Sequence, residues 1–298
     1  VGLATCAALP VGDPEDAGLV AALHARDIDV EWVVWNHADP QRLHEWIDVL
    51  IIRSTWDYTD HHADFLSWIG ACSVQVFNPS ELVRWNSDKR YLMELAAAGI
   101  PTVPTVVVEK TDEDWPVPQW LTDFDEFVIK PAIGAGSKGA RRFAQADKAE
   151  AREHAAGLLA SGSTALFQPY LPSVDAGSET ALIFLDGAFS HSITKGPLLR
   201  TDGQAQLVDG LYVAESIDSR TASQAQLDVA QRVLGALPSD DWLYARVDLI
   251  DDVNGAPILL ELEMVEPSLF FACDPPAADR LVAGIERRLE GETPRMRS

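Results

Sequence analysis

Cysteine is scarce. Three residues, Cys6, Cys72 and Cys273, are scattered over 298 positions and odd in number. That excludes a disulfide framework or a zinc cluster and points to a reducing cytoplasm. Basic residues are scarce too: 23 Lys and Arg face 46 Asp and Glu, a formal charge of -23. A nucleic-acid partner would have to dock against that field, so none is expected. The acids are dispersed, and solubility accounts for most of the excess. No apolar run approaches the roughly 20 residues of a membrane helix, so no membrane partner is expected. The strand-like opening Val1-Gly-Leu-Ala-Thr5 lacks the basic flank of a signal peptide, and none is expected. No repeat of fixed period appears, which argues against a solenoid. The seven histidines show no ligand spacing, His61-His62 reading as a solvated helix start. No Ser/His/Asp or Cys/His nucleophile set stands out.

What is present begins with a hydrophobic content of 47%, ample for real cores and for two or three domains at this length. The first 80 residues alternate strand and helix patterns: strands at 1–5, 29–34 and 49–52, and a helix over 14–26 with Asp13 as its cap before Pro14. This rhythm predicts a parallel α/β sheet with ligands at the strand C-termini. Asn86 begins a predicted helix to position 98, closed by Gly99 and Pro101. A short extended segment follows over 101–108. Strands at 126–130 and 140–143 flank a glycine-rich loop, with a helix over 147–159 and a strand over 164–167. Two hairpins are predicted across Asp186-Gly187 and Asn254-Gly255, with helices over 224–237 and 276–289.

The loop Gly134-Ala-Gly-Ser-Lys-Gly139 matches G-x-G-x-x-G. A dinucleotide fingerprint needs a helix opening at the third glycine, whereas Ala140-Arg-Arg-Phe-Ala144 reads as a strand. No Gly-Lys-Ser/Thr is present, so Walker A fails as well. Two readings remain: a glycine flap whose backbone N–H groups approach phosphate oxygens, or a plain hairpin turn. Lys130, ending the apolar run Phe127-Val-Ile129, favours the first, because a buried ammonium needs an anionic partner. Lys138 within the loop reads as solvated.

Residues i and i+2 of a strand share a face. Arg246 and Asp248 therefore point together, as do Glu261 and Glu263. Pairing across Asn254-Gly255 would gather three carboxylates and one guanidinium. Acids that close raise one another's pKa values, and a divalent cation relieves this; oxygen-only ligands suit Mg2+. The alternative is a solvent-facing amphipathic hairpin.

The order of these parts resembles the ATP-grasp superfamily of carboxylate–amine ligases over roughly residues 85–272, with Lys89, Lys130, the glycine loop, Gln168-Pro-Tyr-Leu171, Arg246-Val-Asp248 and Glu261-Leu-Glu263 in sequence. The resemblance implies an ATP-grasp fold, α/β and α+β: an N-terminal parallel-sheet α/β domain (1–84), a small subdomain carrying the lid (85–168) and a C-terminal subdomain with the metal site (169–298). It implies that Lys89 and Lys130 contact nucleotide phosphates and that Gly134, Gly136 and Ser137 close over them. Gln168, Tyr170 and Leu171 would receive adenine, with Asp175, then Glu179, at the ribose. Asp248, Glu261 and Glu263 would bind Mg2+, two ions being expected, and Arg246 would steady an acyl phosphate. Many members carry Glu-x-Asn where this chain has Glu261-Leu-Glu263, a departure that still offers an oxygen ligand.

The whole chain, including Arg53-Ser-Thr-Trp-Asp-Tyr58 and the opening through Cys6 and Asp13, is similar to a narrower group of ring-closing ligases in that superfamily. That implies a small amino-acid-derived substrate, activated by ATP at its carboxylate and closed by a nitrogen of the same molecule. Arg53, at a strand's C-terminal edge, is a candidate carboxylate clamp. Trp56 and Tyr58 are candidate pocket walls and Asp57 an ammonium partner, against the alternative of a capped structural loop. Lys195 reads as a phosphate or substrate contact or as a surface residue, and Ser268 as a weaker substrate candidate. Cys6 reads as a buried structural thiol, with a place in the substrate pocket as the alternative. The rivals are a ligase joining two amino acids or peptides, a nucleotide-binding regulator without chemistry, and an NAD-dependent oxidoreductase. The oligomeric state stays open, a homodimer included.

Overall fold

A computed structural model of the chain describes residues 1–109, 123–177, 179–196 and 216–291, together with the backbone of 207–208 and 212–213. The first sheet is parallel, in the order β2-β1-β3-β4, from β1 (Gly2–Thr5), β2 (Glu31–Val34), β3 (Val49–Ser54) and β4 (Gln75–Phe77). Asp13 caps the turn of 3-10 helix Pro14–Asp16, its carboxylate accepting from Glu15 N at 2.8 Å. Helix α1 (Ala17–His24) continues from it, and α2 (His62–Gly70) precedes β4. His61 is exposed, but His62 is half-buried, 2.8 Å from Ser87 Oγ, rather than solvated.

The second sheet is antiparallel, ordered β5-β8-β6-β7, from β5 (Val106–Val108), β6 (Glu126–Pro131), β7 (Arg141–Ala144) and β8 (Ala165–Pro169). Helix α5 (Lys148–Ala160) covers one face, burying Ala151 and Ala155 against Phe127, Ile129, Phe143 and Phe167.

The third sheet, ordered β13-β10-β9-β14-β15, is also antiparallel. It contains β9 (Thr180–Leu185), β10 (Ala188–Lys195), β13 (Ile217–Arg220), β14 (Tyr244–Asp251) and β15 (Pro257–Glu263), with a two-residue ribbon of β11 (Leu207–Val208) and β12 (Tyr212–Val213) beside it in sequence. The β9–β10 turn holds Asp186 at φ 49° and Gly187 at φ 78°, the left-handed pair that a two-residue hairpin demands. Helix α6 (Gln224–Leu234) starts with a Ser223/Gln226 capping box, and α7 (Pro276–Leu289) ends the described chain. Apolar residues of the first sheet, such as Leu3 and Ile51, share a core with Ile183, Tyr244 and Leu281.

One predicted helix starts later than expected, and another helix ends where it was to begin. In place of a helix over 86–98 there are α3 (Ser80–Asn86) and α4 (Tyr91–Ala97), joined by a turn. The cause lies in β15, an edge strand whose outer backbone groups need partners. Asn86 donates to Leu262 O at 2.9 Å and accepts from Met264 N at 2.7 Å, while Tyr91 Oη lies 2.8 Å from both Leu262 N and Leu262 O. The turn between them is pinned by Lys89 N donating to Ala132 O at 2.8 Å. Lys89 is thereby aimed from a turn rather than from a helix. Leu82, Tyr91, Leu92 and Leu95 pack with Val229, Val233 and Leu259, so this helix pair shares the core of the third sheet, not the second.

Candidate active site

A cavity of about 440 Å³ lies where the three sheets meet. Strand pairing builds its floor. The register sets Arg246 opposite Glu263 and Asp248 opposite Glu261, so alternation does gather three acids and a guanidinium on one face. Cations interleave them. Buried Asp248 accepts from Arg246 Nε at 2.9 Å and from Lys195 Nζ at 2.5 Å, and Lys195 lies 3.3 Å from Glu179. Arg246 also donates to Glu263. Lys89 reaches Glu261 at 3.2 Å and Lys130 comes within 3.9 Å of it. Lys195 is therefore a buried member of this cluster, not a surface residue.

Burial alone would raise every acid here and lower every lysine. Against burial, Arg246 and Lys195 hold Asp248 below the usual carboxylate range, and Lys89 and Lys130 do the same for Glu261. Burial pushes Glu263 up to about 7, and Arg246 with Lys195 only partly offsets it because Glu261 and Asp248 repel it. Glu266 is pushed up to about 8 by burial and by Glu263. Burial lowers Lys130, whereas at Lys89 burial is overcome by Glu261, Glu263 and Glu266 together, which raise it.

The glycine loop joins β6 to β7 above this cluster. Gly136, Ser137 and Gly139 have φ of 56°, 61° and 76°, which favours glycine and strains Ser137. Lys89 donates to Gly134 O. The Lys138 side chain, solvent-exposed as expected, pairs at the surface with Asp60 of the first sheet's domain at 2.7 Å. Gln168, Tyr170 and Leu171 line the far wall, Gln168 Nε2 donating to Thr105 Oγ1 at 2.9 Å. Asp175 is not among the lining residues. Its carboxylate accepts from Tyr170 Oη at 2.7 Å and pairs with Arg142 at 3.1 Å, and the Arg142 guanidinium sits 3.5 Å over the Tyr170 ring.

At the other end, Trp56, Tyr58 and Ser268 line the cavity as the sequence suggests. Arg53 and Asp57 do not. Arg53 is 2% exposed and paired through Nε with Asp16 at 2.9 Å, and Asp57 accepts from Trp35 Nε1 at 2.7 Å. Asp57 points into the first sheet's domain, and the Arg53 guanidinium is held by Asp16 with its centre 5.6 Å from the Tyr244 ring centroid, so burial next to partners replaces contact with the cavity. Cys6 is buried, as expected of a structural thiol. Sequence reasoning missed Glu15, Glu266 and Phe270, all of which line the cavity. Glu15, pushed up to about 7 by burial despite nearby Arg53, stands in the first helical turn after β1, at the C-terminal edge where a parallel sheet binds ligands. That position was the available signal. Phe270 carried none.

The acids offer an all-oxygen donor set, and Glu263, pushed up by burial and by repulsion from Glu261 and Asp248, is a carboxylate whose charge a divalent cation would stabilise, so the residues fit Mg2+. In this conformation cations hold the acids, and among the described residues no three of His, Cys, Asp or Glu converge as a ready ligand sphere. No described helix is long and apolar enough to cross a membrane.

The family description "D-cycloserine synthetase DcsG, N-terminal domain" matches residues 1–78. The cycloserine biosynthesis protein DcsG of Streptomyces lavendulae is 36% identical over 254 residues, spanning 82% of this chain and 84% of its own. The chain belongs to the DcsG family. A crystal structure of D-cycloserine synthetase DcsG superposes with a TM-score of 0.85 at 35% identity, covering 97% of this chain and 99% of that one. Two more distant structures share the fold alone, which is ATP-grasp. A RimK domain ATP-grasp protein from Sphaerobacter thermophilus has a TM-score of 0.67 at 16% identity, covering 96% and 100%. The D-alanine–D-alanine ligase of Bacillus anthracis, complexed with ATP, has 0.65 at 16%, covering 98% and 99%. This chain is an ATP-dependent ligase of the ATP-grasp fold, with its cavity where the three sheets meet.

Proposed function

We propose that the chain closes O-ureido-D-serine into the ring of D-cycloserine, using ATP to activate the substrate carboxylate. The observation that carries this reading is the buried cluster of Lys89, Lys130, Lys195 and Arg246 against Asp248, Glu261 and Glu263 inside one cavity, in a chain 36% identical to DcsG. Lys89 and Lys130, from two separate segments, bind the nucleotide phosphates, and the 134–139 loop closes over them. Gln168, Tyr170 and Leu171 take the adenine, with Glu179 at the ribose and Asp175 acting through Tyr170.

The carboxylate attacks the γ-phosphate, giving an acyl phosphate and ADP. Asp248, Glu261 and Glu263 would hold Mg2+, two ions, which when bound would offset charge on the transferring phosphoryl group. Arg246 and Lys195, held by Asp248, orient the acyl phosphate. The ureido nitrogen of the same molecule then attacks the activated carbonyl, forming the ring C–N bond, losing its proton and expelling phosphate; water later hydrolyses the carbamoyl group, which leaves as carbon dioxide and ammonia. Trp56, Tyr58 and Ser268 confine the substrate, and confinement matters because water would destroy the acyl phosphate. A soluble, cytoplasmic enzyme with a small-molecule substrate, as a monomer or homodimer, fits this chemistry.

The test is ADP and phosphate release that requires both Mg2+ and O-ureido-D-serine, with no second amine. Turnover only when a separate amino acid is supplied would replace ring closure by intermolecular ligation. ATP binding without ADP formation under every substrate would leave a regulator.

A further inference from the structure

The segment after β15 forms one wall of the cavity, and side chains from four separate elements hold its backbone. Trp56 Nε1 donates to Glu266 O at 3.3 Å and Arg246 Nη1 to Ser268 O at 3.3 Å. Glu15 Oε1 accepts from Phe271 N at 3.3 Å. The remaining anchor is Leu269 O, 3.0 Å from Nε2 of His191. Between these anchors Phe270 has φ 52°, a conformation that a bulky side chain does not adopt unless its surroundings impose it. Phe270 and Ser268 both face the cavity, and the Arg246 guanidinium lies 5.5 Å from the Phe270 ring centroid.

His191 is buried on β10, beside a register shift between Phe189 and His191. Bulges of this kind re-aim side chains near functional sites. The neighbours of the imidazole fix its tautomer. Arg280 donates to Ser190 Oγ from Nε at 3.1 Å and from Nη2 at 2.8 Å. A serine hydroxyl has two acceptor positions and one hydrogen. With the acceptor side filled, the hydrogen goes to His191 Nδ1, 2.9 Å away. Nε2 then carries the ring proton and donates to Leu269 O. Asp274, 3.8 Å from Nδ1, is itself held by Arg280. Burial lowers the imidazole's affinity for a second proton, in keeping with a neutral donor.

We propose that His191 is a positioning residue for the substrate: through Leu269 O it fixes the 268–270 segment, so that Ser268 and Phe270 wall the cavity beside Arg246. Ser190 and Arg280 set its tautomer from behind. This rests on the reading that the Arg246 end of the cavity receives the acyl group.

His191→Leu removes the donor, while His191→Gln keeps an N–H near the position of Nε2. In steady-state ADP release, His191→Leu raises the KM for O-ureido-D-serine about tenfold, the size of one lost hydrogen bond, and moves the KM for ATP by less than about twofold. His191→Gln restores most of the loss. A substrate KM unchanged in His191→Leu, a parallel rise in both KM values, or a Gln variant as impaired as Leu overturns the proposal. If the wild-type protein does not turn over O-ureido-D-serine, the functional reading fails, and crystal structures of the wild type and His191→Leu then decide about His191. Loss of the positive φ at Phe270 in the variant supports the positioning role, and an unchanged 268–270 segment overturns it.

Discussion

At the lysine-rich end of the cavity, Lys89, Lys130 and Lys195 all meet carboxylates that strand alternation alone brings together. At the Trp56–Phe270 end the wall is assembled from the first helical turn, the loop after β3 and the segment after β15, residues more than 200 positions apart. The first end is a dense lattice of opposite charges in which most acids are held low. The second keeps acids without full compensation, Glu15 and Glu266, pushed up to about 7 and 8. What this teaches is a division of labour: paired charge suits fixed phosphates, whereas an under-compensated, partly apolar wall leaves capacity for a small polar substrate to satisfy.

The sharpest way to break this comparison is Arg53, which sequence position assigns to the substrate end and which burial assigns to the framework. Arg53→Met strands Asp16 as a buried lone charge and is expected to cost about 3–5 kcal/mol in denaturant unfolding, with Asp16→Asn recovering much of it in the double variant. The folded fraction should keep its substrate KM. A stable Arg53→Met protein with a greatly raised substrate KM would return Arg53 to the substrate.

Lys130→Ala sharpens the contrast from the other side. It relieves a buried ammonium, so stability should hold while ADP release falls about a hundredfold and the KM for ATP rises. Near-normal turnover would remove Lys130 from the phosphate site.

The smallest effect is a pH dependence. Glu266 is raised from 4.5 to about 8, so folding favours its protonated form. The stability this confers is complete below pH 4.5 and is lost as pH climbs through 8. Thermal unfolding of the protein in EDTA should therefore show the wild type losing several degrees relative to Glu266→Gln between those limits. Parallel curves would mean that Glu266 is solvated and that the under-compensated wall does not exist.

Much of the lysine-rich end was legible because its signals are local. The i, i+2 spacing of Arg246, Asp248, Glu261 and Glu263 needs only a hairpin, and Asn254-Gly255 announces one, Gly255 taking φ 80°. The turn at 87–90 was not legible, because the predicted helix starts at Asn86 and runs through it; only the unsatisfied edge of β15 explains why Asn86 and Tyr91 turn to a distant strand. Arg53 and Asp57 misled for a related reason. A charged residue at a strand's C-terminal edge has two equally good partners, ligand or neighbouring acid, and sequence carries no distance between Arg53 and Asp16.

The sequence by itself determined the alternation that makes the sheets, the left-handed turns at Gly187 and Gly255, and the chemistry of the charged cluster, since these depend on neighbours within a few positions. Only the tertiary structure decided which buried charges face the cavity and which face each other, because burial and pairing are set by chain segments that meet after folding. Glu15, His191 and Phe270 acquire a place in the site for that reason alone: each lies against a segment that no local pattern connects to it.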